Sequence, residues 1–201
     1  MSETKAVVET RVVHDVHRMA TTLLADAAGR ASADLSAVDE LRTFLVKNLH
    51  HHHETEDHIL WPLIEQAAPG VSTPLAELSE EHETLDRVLD ELEAAPLDGA
   101  ELATAAQALR DIVHRHLEHE EPILFPALRA HVTEQAWDEF SAQVMATAPP
   151  EAAHLAIGFF DRVATPAEVE MLLAGLPEPV RGLVPMMRKQ AEEAFAALGA
   201  A

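Results

Sequence analysis

The chain has 201 residues, and 35 Asp and Glu against 14 Lys and Arg give it a formal net charge of −21. Nucleic acids and anionic membranes bind positively charged surfaces, so this balance argues against both as partners. The absence of Cys excludes disulfides and Cys-ligated metal, and the absence of Tyr excludes a tyrosinate ligand. Because the sequence shows no signal segment and no apolar run of roughly 18 residues, we expect a cytoplasmic protein.

Four long amphipathic helices are predicted in the first two-thirds of the chain. Apolar residues recur at steps of three and four over about residues 4–28, 35–67, 73–95 and 98–132. Glycine and proline mark short connections between these segments, and short connections make neighbouring helices antiparallel. The sequence therefore predicts an all-α fold in which residues 1–132 form an up-down-up-down four-helix bundle.

Residues 133–201 are expected to form a helical extension that packs on this bundle. Amphipathic stretches lie at about 137–144, 155–163, 166–173 and 180–198, with prolines between them. Proline is well tolerated in the first turn of a helix, so these prolines indicate helix starts. We expect three or four shorter helices, which offer too little core for a separate domain.

A gapless internal repeat is the strongest signal in the sequence. Residues 52–62 and residues 116–126 share the pattern H-x-x-x-E-[DE]-x-I-L-[WF]-P. Each copy places a His and a Glu four residues apart, which puts both side chains on one face of a helix. The pairs are His52 with Glu56 and His116 with Glu120. The second and fourth predicted helices thus present equivalent His/Glu pairs.

The first and third predicted helices also carry histidines, namely His14, His17 and His82. Counting from the connections at about 1.5 Å per residue places His14 level with His52. The same count places His82 level with Glu56, and less closely with the second His/Glu pair. We therefore expect these side chains to converge at mid-height in the bundle.

The chemistry of this group predicts a metal site. A buried carboxylate is costly unless it is neutralised, paired or metal-bound. Nitrogen and oxygen donors without thiolate suit iron, manganese, zinc or copper. Two carboxylates that can bridge indicate two ions rather than one.

These motifs resemble the haemerythrin family, specifically the prokaryotic haemerythrin-like HHE cation-binding domains. The similarity covers about residues 4–132 and rests on Val12-Val13-His14, both repeat copies and Glu81-His82. The resemblance implies a non-haem di-iron centre, with two iron ions joined by two carboxylates and an oxo or hydroxo bridge. The metal ligands that it implies, residue by residue, are His14, His52, Glu56, His82, His116 and Glu120.

Several assignments stay open. Aligning His17 with His82 also matches neighbouring apolar residues, so His17 competes with His14, which the register and the Val-Val-His context favour. Asp86 and Glu121 are further candidate ligands. Supporting or surface positions are expected for His58, His119, His131 and His154.

The sequence also departs from the oxygen-carrying members of the family. Those members have a second His four residues after the third-helix His, where this chain has Asp86. They have His-x-x-x-x-Asp on the fourth helix, where this chain has His-x-x-x-Glu. Reversible oxygen carriage is therefore not expected.

The resemblance leads to three functional hypotheses. The first is a di-iron protein that binds or processes O2, NO or peroxide, as a sensor or as a peroxide-consuming enzyme. The second is an iron-binding or iron-storage protein without turnover. The third is a di-iron oxidase or oxygenase that acts on an organic substrate, and a bundle with an adventitious zinc ion is the remaining alternative.

Four apolar residues of the repeat are expected to form either an apolar shell around the site or ordinary bundle core. They are Leu60, Trp61, Leu124 and Phe125.

Overall fold

The computed structural model describes residues 3–30 and 32–200, and across these two ranges it is helical with no β-strand. The prediction of an all-α fold is confirmed. The helices of the first two-thirds are α1 (Lys5–Ala28), α2 (Leu35–Thr55), α3 (Trp61–Ala67), α4 (Ser72–Ala94) and α5 (Ala100–His131). The remaining helices are α6 (Glu134–Thr147), α7 (Ala153–Val163), α8 (Pro166–Ala174), α9 (Glu178–Arg181) and α10 (Val184–Ala197).

Local capping explains where the first two helices begin. The Thr4 hydroxyl accepts the Val7 backbone N–H at the start of α1. The Asp34 carboxylate accepts two backbone N–H groups at the start of α2. Each cap satisfies donors that have no partner inside the helix. The two helices therefore start within a residue of their predicted positions.

The four longest helices contact one another in a closed ring. α1 packs on α2 and α5, and α4 packs on the same two helices. Side-chain contacts show that α2 and α4 run antiparallel, since Lys47 pairs with Glu93 whereas His53, further along α2, contacts Asp86, earlier in α4. The arrangement puts one face of each helix into a shared interior.

This interior has two apolar clusters with a polar layer between them. The larger cluster includes Leu24, Leu45 and Leu89, and the smaller one includes Ile64 and Leu78, together with many others. The polar layer consists of buried residues on α1, α4, α5 and the end of α2: Thr10, His14, His17, His53, Thr55, Glu56, His82, His116 and Glu120. The predicted site residues therefore lie at one level of the molecule.

The second predicted helix, 35–67, is not a continuous α-helix. A π-helical turn at Glu56–Leu60 separates α2 from α3, and the Trp61 N–H donates to the Glu56 carbonyl five residues earlier. The equivalent region of the second repeat remains α-helical, because α5 continues through Pro122 and Pro126 to His131. The two copies of the repeat thus have different backbones.

The C-terminal helices contact the first two-thirds of the chain mainly through α7. α7 packs on α1, α2 and α10. Phe159 of α7 and Phe195 of α10 are buried in the larger apolar cluster. The close approach of these helices requires Gly158, since a Cβ there would lie 2.4 Å from the Ala191 Cβ. The division into a bundle of residues 1–132 and an extension of residues 133–201, with too little core for a separate domain, stays a prediction.

In the described part of the chain, every helix is too short or too polar to cross a membrane.

Candidate metal centre

The structure brings together all six residues that the sequence analysis singled out. Five of them, His14, Glu56, His82, His116 and Glu120, are no more than 4 % exposed. The sixth, His52, has a side chain that is 13 % exposed. They come from α1, α2, the π-helical turn, α4 and α5, so no single segment of the chain contains the group.

Each of the two carboxylates lies between histidines of different helices. Glu120 Oε1 lies 3.6 Å from His14 Nε2, and its Oε2 lies 3.2 Å from His116 Nε2. Glu56 Oε2 lies 3.4 Å from His52 Nε2 and 3.7 Å from His82 Nε2. Both carboxylates are therefore placed to be shared between two positions. One position has His14 and His52 beside it, and the other has His82 and His116.

The first position is short of hydrogen-bond partners. Ligand atoms of His14, His52, Glu56 and Glu120 all lie within 4.8 Å of one another. The Nε2 atoms of both histidines, Glu56 Oε2 and both oxygens of Glu120 are buried without a hydrogen-bond partner. Leaving such polar atoms unpaired is costly, whereas a cation at this position would compensate four of them, and the fifth, Glu120 Oε2, faces His116 at the second position. The donor set therefore fits a metal ion.

The second position leads to the same conclusion through a different contact. His82 Nε2 and His116 Nε2 face each other at 3.2 Å. Their Nδ1 atoms contact the carboxylates of Asp57 and Glu81 at 3.1 and 2.7 Å. A neutral imidazole that donates from Nδ1 has a lone pair on Nε2, so two lone pairs face each other whenever both rings are neutral. Glu120 and Glu81 outweigh burial and raise the pKa of His116, which favours a proton on that ring in the absence of a cation. A metal ion between them would turn this repulsion into coordination.

Carboxylates behind the histidines hold the rings in place. The Nδ1 atom of His14 lies 3.1 Å from Glu121, which also pairs with Arg18 at 2.7 Å. Asp57 accepts the Ser79 hydroxyl at 2.6 Å. Such outer carboxylates fix the tautomer and orientation of ligating histidines. Glu121 thus lies behind His14 and not within the cluster.

The repeat has a reciprocal role that its sequence does not show. The second acid of each copy contacts a histidine of the other half, Asp57 with His82 and Glu121 with His14. The aromatic residue of each copy stacks near the same histidine. Ring centroids are 6.2 Å apart for Trp61 with His82 and 6.0 Å for Phe125 with His14. The pattern therefore encodes both a His/Glu pair of the buried group and the support for a histidine on a neighbouring helix.

Burial and neighbouring charge shift the pKa values of the two carboxylic acids in opposite directions. Burial and the Glu120 carboxylate raise the pKa of Glu56 well above its ordinary value. Burial disfavours ionisation of Glu120 as well, but His14 and His116 outweigh it and lower the pKa of Glu120 to about 2. Two carboxylates this close do not ionise together readily unless a cation compensates them.

Two further buried histidines surround the group. His17, the predicted competitor of His14, has its ring centroid 4.7 Å from that of His52 and a buried Nδ1 without a partner. His53, which the sequence analysis did not single out, is 2 % exposed, and its Nδ1 lies 2.8 Å from Asp86. Asp86 is thus held by a histidine outside the six. The sequence did not indicate which residue of the run His50–His53 is buried beside the site, because that depends on how the helices pack.

Burial lowers the pKa of three of these imidazoles. It lowers the pKa of His17 and His52 well below the usual value, and neighbouring histidines add to the effect. Burial also lowers the pKa of His53 to about 4, although Asp86 opposes it. All three rings are neutral at pH 7 and keep a lone pair for a cation.

The remaining predicted histidines lie away from the cluster. His58 is exposed and contacts a carbonyl of its own helix, and His131 is exposed at the end of α5. His119 is bound to Glu81 at 2.8 Å, and His154 lies 3.5 Å from Glu40. Of these four, only His119 is linked to the site, through the acid that orients His116.

A helical fold with this buried group of imidazoles and carboxylates defines a metal-binding protein. A family model described as the Hemerythrin HHE cation binding domain matches residues 8–128, and the chain belongs to that family. The resemblance found in the sequence is thereby confirmed.

One curated relative is a DNA nickase from Nostoc sp. (strain PCC 7120), which is 26 % identical over 115 residues. The match covers 57 % of this chain and 32 % of the nickase, so the chain spans about a third of that protein's length. No solved structure matches the chain.

Proposed function

We propose that the protein holds two iron ions in an up-down-up-down four-helix bundle and binds or processes O2, NO or peroxide there. The observation that carries this proposal is the position of Glu120. Its two oxygens face histidines of different helices, His14 and His116, and neither oxygen has a hydrogen-bond partner. A carboxylate so placed is suited to join two cations.

The proposed ligands divide into two sets with two shared residues. His14 and His52 would hold one ion, His82 and His116 the other, and Glu56 and Glu120 both. Imidazole and carboxylate without thiolate suit iron, although they do not exclude manganese or zinc. When bound, the two irons supply redox chemistry toward a small oxygen or nitrogen ligand.

The surrounding residues of the chain prepare the site for such a ligand. Glu121, Asp57 and Glu81 fix the orientation of three histidines. Leu60 and Leu124 are at most 1 % exposed and belong to the smaller apolar cluster, which borders the site. An apolar border limits water and charged solutes while it admits small neutral molecules.

The DNA-nicking activity for which the Nostoc relative is named is not part of this proposal. The chain covers only a third of that protein, and its net charge of −21 opposes contact with DNA phosphates.

Anaerobic loading with Fe2+ tests the proposal. We expect two irons per chain, and on addition of air or peroxide we expect near-ultraviolet charge-transfer bands. Repeated consumption of peroxide would support an enzyme, and a single oxidation would support sensing or storage. Fewer than two irons per chain would overturn the two-ion site.

The internal repeat supplies matched variants for this experiment. Glu56→Gln and Glu120→Gln change the shared carboxylates and should abolish the bands and lower the iron content. Glu54→Gln and Glu118→Gln change exposed acids two residues earlier in each copy and should leave both unchanged. If all four variants behave alike, the assignment of the bridging residues is wrong.

A further inference from the structure

We infer that His17 donates a hydrogen bond to a small anionic ligand, such as hydroperoxide or azide, bound to the ion that His14 and His52 hold. The inference rests on the proposed two-ion site and deepens it, because it names the kind of ligand that the site would take. His17 would thus contact the ligand and leave the ion to His14 and His52.

His17 is a buried histidine with an unsatisfied nitrogen. The residue is 3 % exposed, and its Nδ1 atom is buried without a hydrogen-bond partner. A neutral imidazole carries its single N–H on one of its two nitrogens. With the proton on Nδ1, the ring has a buried donor that no protein atom accepts. Such a donor is costly, so we expect a bound molecule to accept it.

The His17 ring lies beside a proposed metal ligand but outside the donor set of the first position. The ring centroids of His17 and His52 are 4.7 Å apart, and their planes are inclined by 67°. The ligand atoms that lie within 4.8 Å of one another belong to His14, His52, Glu56 and Glu120, without His17. A ligand atom lies about 2.1 Å from its ion and a hydrogen bond spans about 2.9 Å, so a donor just outside the coordination sphere can reach it.

The first position is suited to a further small ligand. His14, His52, Glu56 and Glu120 supply four donors, and metal sites that act on small molecules keep a coordination position for them. Among the six proposed metal ligands His52 is the most exposed, at 13 % against at most 4 % for the others. A small ligand is therefore expected to approach along His52, where His17 lies.

The other half of the molecule shows what packing alone requires at the place of His17. Counted from His14 in α1 and from His82 in α4, the residue that matches His17 is Leu85. Leu85 is 0 % exposed and belongs to the larger apolar cluster. A leucine thus fills this place in one half. An imidazole in the other half loses its hydration, and a hydrogen bond to a bound ligand would offset that loss.

The chemistry of this contact favours an anion. A hydrogen bond to a charged acceptor is roughly twice as strong as one between neutral groups. Hydroperoxide and azide carry a negative charge, whereas free O2 and NO do not. A donor at this place therefore favours peroxide among the three ligands proposed above.

Titration of the iron-loaded, oxidised protein with azide tests the contact. The charge-transfer band of iron-bound azide gives Kd. His17→Leu introduces the residue of the other half and should raise Kd at least about tenfold. His17→Asn keeps an amide N–H close to the place of Nδ1 and should recover part of the affinity. His154→Leu, whose histidine contacts Glu40 away from the cluster, is the control and should keep the wild-type Kd.

The infrared spectrum of bound azide separates a hydrogen bond from an effect of packing. We expect the azide stretch to shift between H2O and D2O in the wild type and to stay in place in His17→Leu. This measurement keeps the test decisive if His17→Leu does not fold, because the wild type and His17→Asn should both show the shift.

The outcomes separate the two proposals. Fewer than two irons in the wild type would overturn the two-ion site and this inference with it. With two irons in the wild type, an unchanged Kd in His17→Leu would overturn the inference alone. So would a wild type that binds no azide or whose azide stretch is insensitive to D2O. Loss of an iron from His17→Leu would make His17 a metal ligand and would also overturn it.

Discussion

The orientation of three histidines of the site is set by the carboxylates that contact their Nδ1 atoms. His14, His82 and His116 present Nε2 to the shared carboxylates because Glu121, Asp57 and Glu81 hold their Nδ1 atoms. This favours His14 over His17 as the first-helix ligand, because His17 Nδ1 has no partner. The choice stays a proposal, and separate substitution of His14 and His17 with iron counting would test it.

The buried histidines predict an unusual pH dependence for the metal-free protein. The folded-state pKa values of His17, His52 and His53 lie below the ordinary value of 6.5. As the pH falls through 6.5, the unfolded chain binds three protons that the folded chain does not, so stability falls. The raised pKa of Glu56 opposes this with one proton down to about pH 4.5.

The net effect is loss of stability between about pH 6.5 and pH 4.5. Each excess proton in the unfolded state is worth up to about 1.4 kcal/mol per pH unit. Urea unfolding with a chelator present, at several pH values, measures the slope. Stability that stays constant or rises as the pH falls through this window would contradict the buried, neutral state of these rings.

The sequence predicted the residues of the buried His/Glu group better than the residues that orient them. The pairing of His52 with Glu56 and of His116 with Glu120 was predictable, because residues four apart lie on one face of a helix whatever the helix packs against. The roles of His53 and Glu81 could not be predicted, since they depend on which turn of one helix meets which turn of another.

At the scale of elements, the starts of the four long helices and the ends of three of them were predictable to within a few residues from apolar spacing. The π-helical turn at Glu56–Leu60 was not. The two repeat copies align without a gap. The sequence therefore does not indicate that the helix widens to a π-helical turn in the first copy only. The last predicted helix, 180–198, is also divided, into α9 and α10 with Gly182 between them.

The contact between α7 and α10 gives a prediction at this scale. Gly158→Ala should lower the free energy of unfolding by about 1–3 kcal/mol, because its Cβ would lie 2.4 Å from the Ala191 Cβ and 2.7 Å from the Phe195 ring. Alanine's better helix propensity, about 1 kcal/mol, offsets only part of this. Gly70→Ala, with nothing within 4 Å, should change stability by less than about 1 kcal/mol. Equal unfolding midpoints in urea would contradict this packing.

At the scale of the whole molecule, the proposed metal site joins helices that are far apart in the sequence. Ions that bind only the folded chain stabilise it by mass action, about 2.7 kcal/mol at a free concentration one hundred times Kd. Metal should therefore raise Tm and a chelator should lower it again. Glu120→Gln should lose most of this shift, and Glu118→Gln should keep it. A Tm unaffected by metal would contradict a site shared among the four helices.

The reciprocal contacts of the repeat have a consequence for the symmetry of the chain. Asp57 and Trp61 of one half contact His82 of the other, while Glu121 and Phe125 contact His14 of the first. An interface in which both halves contribute the equivalent residues to the equivalent contacts is called isologous. The chain thus resembles a twofold homodimer of helical hairpins made continuous by the connection between α3 and α4, and neither hairpin alone contains all of the proposed ligands.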